Sequence, residues 1–154
     1  MHKIKQIMKR YNPFSEGFHV VLHVRRPSTN TNIDIPEFVG DVKNIVDFSN
    51  DQTERYTSDR YFLEHITNIR KTHPEAIIHV ISDGNSAIFN SFESAGVILH
   101  INNSVIDAFM MMVHADILVT SRSTFSYTAA HFNKNKVIYL KCWHSPSSNW
   151  IRTS

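Results

Sequence analysis

Ala115-Asp116-Ile117-Leu118-Val119-Thr120-Ser121-Arg122-Ser123-Thr124-Phe125-Ser126-Tyr127-Thr128-Ala129-Ala130 decides the fold. Residues 116–120 are a short apolar run bounded by polar residues, which reads as a buried strand. Residues 121–126 are a Ser- and Thr-rich turn, and residues 127–133 read as a helix. A strand, a polar turn and a helix in that order are the repeating unit of a parallel α/β sheet. Downstream, residues 136–140 give a further strand.

The same alternation continues upstream. Asn102, Asn103 and Ser104 can cap a helix over 105–114, expected to bury Ile106, Phe109, Met110 and Val113. Residues 97–101 form a strand before it, and Gly96 ends a helix over 86–94. That helix opens at the Asp83-Gly84 turn, which follows a strand over 76–82. A helix over 59–72, capped by Ser58 or Asp59 and stopped before Pro74, groups Tyr61, Phe62, His65, Ile66 and Ile69 on one face. Residues 18–25 form the first strand. Five near-continuous apolar strands alternating with helices predict a Rossmann-like parallel sheet covered on both faces.

The expected organisation is a basic segment over 1–17 (Lys3, Lys5, Lys9, Arg10) and one domain over 18–154. A long polar insertion falls at about 27–58, helical only over 42–48. The chain of 154 residues is long enough for one real core, and 42% hydrophobic with 19% charged residues is a globular composition. With a formal charge of +2 and cations scattered outside the 1–17 cluster, no nucleic-acid footprint is read. Cys142 is the single cysteine, so a disulfide scaffold is excluded. No apolar stretch is long enough for a membrane span and no signal peptide is read, so the compartment stays open, with a lean to the cytoplasm. The ten histidines show no metal-ligand spacing; His19 with His23, or Cys142 beside His144, do not make a site.

In doubly wound sheets the ligand sits beyond the carboxyl ends of the strands. Three polar groups fall there. Arg25 and Arg26, after His23, suit bidentate contact with a phosphate, though a solvated strand end would look the same. Ser121, Arg122, Ser123, Thr124, Phe125 and Ser126 open a helix whose N-terminus favours an anion, though hydroxyls there also simply cap. Ser82 and Asp83 could meet a ribose or base, and Asp83 could equally cap the next helix.

These residues carry a resemblance. His23-Val24-Arg25-Arg26-Pro27-Ser28 is similar to the His-x-Arg-Arg-x-Asp motif of the fucosyltransferase superfamily that includes α-1,2- and α-1,6-fucosyltransferases. Val80-Ile81-Ser82-Asp83 and the 115–130 stretch match that superfamily's sugar-nucleotide and phosphate segments, so the likeness covers most of residues 18–140. It implies the nucleotide-sugar-binding half of a two-domain (GT-B-like) glycosyltransferase, and inverting, metal-independent transfer from GDP-fucose or a related donor to a glycan, with no cofactor. Arg25 or Arg26 would neutralise the leaving diphosphate, and Ser82, Asp83 and residues 121–126 would hold the donor; His23 is a candidate base by location alone, since a strand-buried histidine also simply packs. Ser28 stands where the motif has aspartate. The acceptor domain that the resemblance implies is expected to be missing or separate, since seventeen residues precede Phe18. The alternatives are a nucleotide-binding module or remnant without turnover, and a different phosphate-ligand enzyme on the same fold.

Overall fold

The structure is a computed structural model that describes residues 11–26, 57–84 and 86–153. Ser28, the 42–48 stretch, most of the 27–58 insertion and most of the basic segment lie outside the described residues. The elements are β1 (His19–His23), α1 (Asp59–Thr72), β2 (Ile77–Ser82), a 3-10 turn (Ser86–Phe89) running into α2 (Asn90–Ser94), and β3 (Ile98–Ile101). Then follow α3 (Val105–His114), β4 (Ile117–Val119), α4 (Thr124–Phe132), β5 (Lys136–Leu140) and β6 (Ile151–Thr153). All pairings are parallel and the strand order is β3-β2-β1-β4-β5-β6. This is the Rossmann-like parallel sheet expected, with a sixth strand besides.

Side chains alternate across the sheet, so one strand serves two cores. Val20, Leu22 and Val24 point to the face covered by α1 and α2, where Phe62, Ile66, Ile69, Phe89 and Phe92 pack with Val80 and Val119. Val21, Leu118, Val137 and Tyr139 point to the other face, against Ala108, Met111, Met112 and Val113 of α3 and Ala129 and Ala130 of α4. The chain changes face after β3. The crevice between β1 and β4 is therefore the switch point of the winding.

Three expectations need correction. β6 was too short to read, because Ile151-Arg152-Thr153 has one apolar residue. α4 starts at Thr124, because the Ser123 hydroxyl caps it by accepting the Phe125 N–H at 3.2 Å. On α3, Ile106 is 74% exposed and the buried stripe is Ala108, Met111, Met112 and Val113. Apolar residues surround that helix, with only Asp107 and His114 polar, so no polar face fixed its rotation.

Asn133 joins the two helices of the second face. It is buried, donates through Nδ2 to the carbonyls of Met112 (2.8 Å) and Ala115 (3.0 Å), and accepts the Asn135 N–H through Oδ1 (2.7 Å). Those carbonyls end α3 and have no partner inside the helix. Asn133→Ala should cost about 2 kcal/mol and lower Tm by about 4–8 °C; an unchanged melt would refute this role.

A cleft at the switch point

β1 delivers His23 and Arg25 to the carboxyl edge, and β4 delivers the turn into α4 beside them. Arg25, Arg122, Ser123, Thr124, Phe125 and Trp143 line a cleft of about 320 Å³. Arg25 and Phe125 are shared with a second cleft of about 170 Å³, which reaches Ser82, Asp83, Asn103 and Val105 on the β2–β3 side. The polar groups expected on one edge are on one edge.

Their side chains divide into two sets. Arg25 faces the cleft, and among the described residues its guanidinium makes no hydrogen bond or ion pair. Arg26 turns away from it. Its side chain is 2% exposed and forms an ion pair with Asp59 at the start of α1, while Nη1 donates to the carbonyls of Arg25 (3.1 Å) and Thr57 (3.0 Å). Ser91 Oγ donates to the other Asp59 oxygen at 3.2 Å. Burial raises the Asp59 carboxyl pKa more than Arg26 and Ser91 lower it.

The serines divide likewise. Ser82 is buried and its hydroxyl donates to the Val24 carbonyl at 2.6 Å, which fixes the chain just before Arg25. Ser126 is fully buried; Oγ accepts the Ser121 N–H at 3.3 Å and faces the Ser123 carbonyl at 3.3 Å. Ser121 Oγ contacts His23 Nδ1 at 2.8 Å. The side chains of Arg26, Ser82, Ser121 and Ser126, from which donor contacts are expected, make contacts within the fold here. Ser123, Thr124, Arg122 and Phe125 line the cleft. Phe125's N–H goes to Ser123 Oγ and Tyr127's to the Ser123 carbonyl (3.0 Å), leaving the Thr124 and Ser126 amides as donors that a helix cannot satisfy internally.

His23 is buried, and burial with Arg25 beside it pushes its pKa down to about 3. It is neutral near pH 7 and a weak base. Asp83 is exposed and lines the smaller cleft. The next turn is pinned by Asn102, which accepts the Gly84 N–H and donates to its carbonyl, both at 2.9 Å. Among the described residues no group of three His, Cys, Asp or Glu is placed to hold a metal ion.

Asp59 and Trp143 were missed as parts of this edge. Asp59 reads as a cap and lies 33 residues from Arg26, so only the fold pairs them. Trp143 had a signal, because the rule placing ligands beyond strand ends applies to β5 as well.

The fold and the cleft define a doubly wound α/β domain with a polar site at its switch point. No protein-family model matches the sequence, nor does any curated protein. Among solved structures, a crystal structure of POFUT1 in complex with GDP aligns at 15% identity and a TM-score of 0.52, over 88% of this chain and 45% of that one. A structure of POFUT1 in complex with GDP-fucose aligns at 16% identity and a TM-score of 0.48, over 86% and 42%. The likeness is one of fold, and this chain spans less than half the length of those it matches. Among the described residues no helix is long and apolar enough to cross a membrane.

Proposed function

We propose that the switch-point cleft binds the diphosphate of a nucleotide sugar, and that the chain is the donor-binding half of a fucosyltransferase-like glycosyltransferase. One observation carries the reading: Arg25 and the N-terminal turn of α4 line the same cleft. A guanidinium and helix amides are complementary donors for a diphosphate. Arg25 of the Arg-Arg motif and residues 122–125 of the Ser-Thr motif, both of which resemble the fucosyltransferase superfamily, fall on that cleft, and the fold aligns with a protein crystallised with GDP. GDP-fucose is the donor this favours.

In transfer, the bond from the sugar to the diphosphate breaks and its electron pair leaves with GDP. Charge then grows on the β-phosphate, where Arg25, Thr124 and the α4 amides stabilise it more than in the ground state. Displacement by an acceptor hydroxyl from the opposite face inverts the anomeric centre, and these donors need no metal. His23 orients Ser121 and the turn rather than taking the acceptor's proton. Asp83 is placed for the ribose or base. The acceptor, and the base that deprotonates it, belong to the glycan and to a further domain.

Calorimetric titration of the chain with GDP, UDP and NAD tests the reading. Binding of GDP with Kd below about 100 μM, a free energy near −5.5 kcal/mol, and weaker binding of the other two, is expected. A folded chain that gives no heat with GDP would overturn it. Preference for NAD would assign the cleft to dinucleotide chemistry.

A further inference from the structure

A third cleft, of about 610 Å³, lies beyond β5 and β6 and shares only Trp143 with the diphosphate cleft. It is roomy enough for a ligand of several rings. Lys141, Trp143, His144, Ser145 and Arg152 are among its lining residues, and among the described residues no carboxylate is.

Trp143 is 52% exposed, which is high for so large an apolar side chain. Its indole is nonetheless fixed. Nε1–H donates to His144 Nε2 at 2.9 Å, and Thr124 Oγ1 contacts the same nitrogen at 3.2 Å. An indole N–H only donates, so His144 Nε2 accepts and the ring proton is assigned to Nδ1. The His144 ring stacks on Tyr127 at 4.4 Å, the His144 carbonyl accepts from Tyr139 Oη at 2.6 Å, and the Ser145 carbonyl accepts from Tyr127 Oη at 2.9 Å. The loop that carries Trp143 is therefore tied to α4 and β5. A held, half-exposed indole offers apolar area without an ordering cost on binding.

The cations are placed with it. Arg152 sits opposite Tyr139 in the β5–β6 register, and Lys141, two residues beyond Tyr139, belongs to the same face. Both are exposed, and among the described residues neither makes an ion pair. An aromatic platform suits the apolar C–H face of a pyranose. Two cations, with no acid among the described lining residues, select a negative substituent.

We propose that this cleft is a second binding site, which takes a saccharide bearing a carboxylate or sulfate, with the sugar ring on Trp143 and the acid between Lys141 and Arg152. As a binding site it stands apart from the nucleotide reading. As the place where an acidic acceptor enters, next to the donor's diphosphate, it rests on that reading.

The test is an NMR titration of the full ¹⁵N-labelled chain, following the Trp143 indole N–H, which is assigned by its loss in Trp143→Phe. The probes are lactose, 3′-sulfated lactose, sialyllactose and inorganic sulfate, with GDP added separately. The anionic lactoses should bind at least ~10-fold more tightly than lactose. Binding by only one of them supports the site and names the acid. The exposed pair Lys141→Ala/Arg152→Ala should erase the preference while leaving the response to GDP, and Trp143→Ala, followed on the backbone amides of Lys141 and Arg152, should lose all saccharide response. Equal binding of lactose overturns the proposal. So does a preference that survives loss of both cations, or inorganic sulfate that moves the same signal at the same concentration as sulfated lactose. GDP binding without any saccharide binding refutes this site alone, and the converse refutes the nucleotide reading alone.

Discussion

Arg25→Ala is expected to cost at least ~100-fold in GDP affinity with Tm unchanged, and Arg26→Ala to lower Tm sharply, by destabilising the fold about 3–5 kcal/mol. The two residues are neighbours in sequence with the same charge, so composition gives no reason to separate them. The structure does. Arg25 points into the cleft with no described partner to lose. Two charge-assisted hydrogen bonds to a diphosphate contribute roughly 3 kcal/mol, which is the ~100-fold quoted. Arg25→Lys keeps the charge but not the fork, and should recover only part of it.

Arg26 is spent on the fold. Removing it leaves Asp59 buried with its charge unpaired and strips a donor from the carbonyls of Arg25 and Thr57. Breaking a buried pair from one side costs about 3–5 kcal/mol, a large share of the ~5–15 kcal/mol that keeps a domain folded. Calorimetric melts and GDP titrations of both variants decide the matter. Normal GDP binding by Arg25→Ala, or a wild-type melt for Arg26→Ala, would reverse the assignment. Asp59→Asn gives an intermediate control, since an amide can still accept from Arg26 without a charge.

The sequence made the sheet legible for a physical reason: strands buried on both faces are rich in β-branched and apolar residues, and β1, β2, β4 and β5 are, interrupted only by His19, His23, His79, Ser82 and Lys136. It also located the site, because strand ends are where the apolar runs stop. What it could not tell is which polar side chain at a strand end faces out. Arg25 against Arg26, and Ser123 against Ser126, differ by one and three positions, yet one of each pair faces the cleft and the other a buried partner. For the arginines that choice depends on Asp59, which arrives from elsewhere in the chain; for the serines it depends on the fold of the turn, where Ser126 Oγ meets the Ser121 N–H and the Ser123 carbonyl. α3 shows the same limit in the core, where apolar residues on every side left its rotation to be set by the neighbours.

Acid should destabilise this protein early, and from the histidines rather than the carboxylates. His23 titrates at about 3 and His79 at about 4 in the folded protein, both from an ordinary 6.5, with burial the largest cause. His100 and His65 are lowered too, again by burial. His79 sits in a chain of rings on the α3 face. The Ser15 carbonyl can only accept, so His19 Nε2 donates to it at 3.1 Å and His19 Nδ1 accepts from His79 Nε2 at 3.0 Å. His79 Nδ1 then accepts from His100 Nε2 at 2.9 Å. These tautomers are assigned from the polarity of the bonds. A proton on His79 Nδ1 would set donor against donor, so the folded state resists it.

The unfolded chain binds those protons near pH 6.5 and the folded chain does not. Stability is therefore complete above about pH 6.5 and falls as the pH drops towards the folded values. For His23 alone the loss at pH 5 is about 2 kcal/mol, and His79 adds to it. Asp59 works the other way, because its raised pKa means that the folded state takes up a proton before the unfolded one does. Urea unfolding at pH 7.5, 6 and 5 should show the decline, and His23→Asn should flatten it by about 2 kcal/mol at pH 5. His79→Gln provides a second reading if His23→Asn folds poorly. A wild-type stability that stays level from pH 7.5 to 5 would mean that these rings are charged, or free to charge, in the folded protein. The one-way hydrogen-bond chain from His100 to Ser15 would then be wrong.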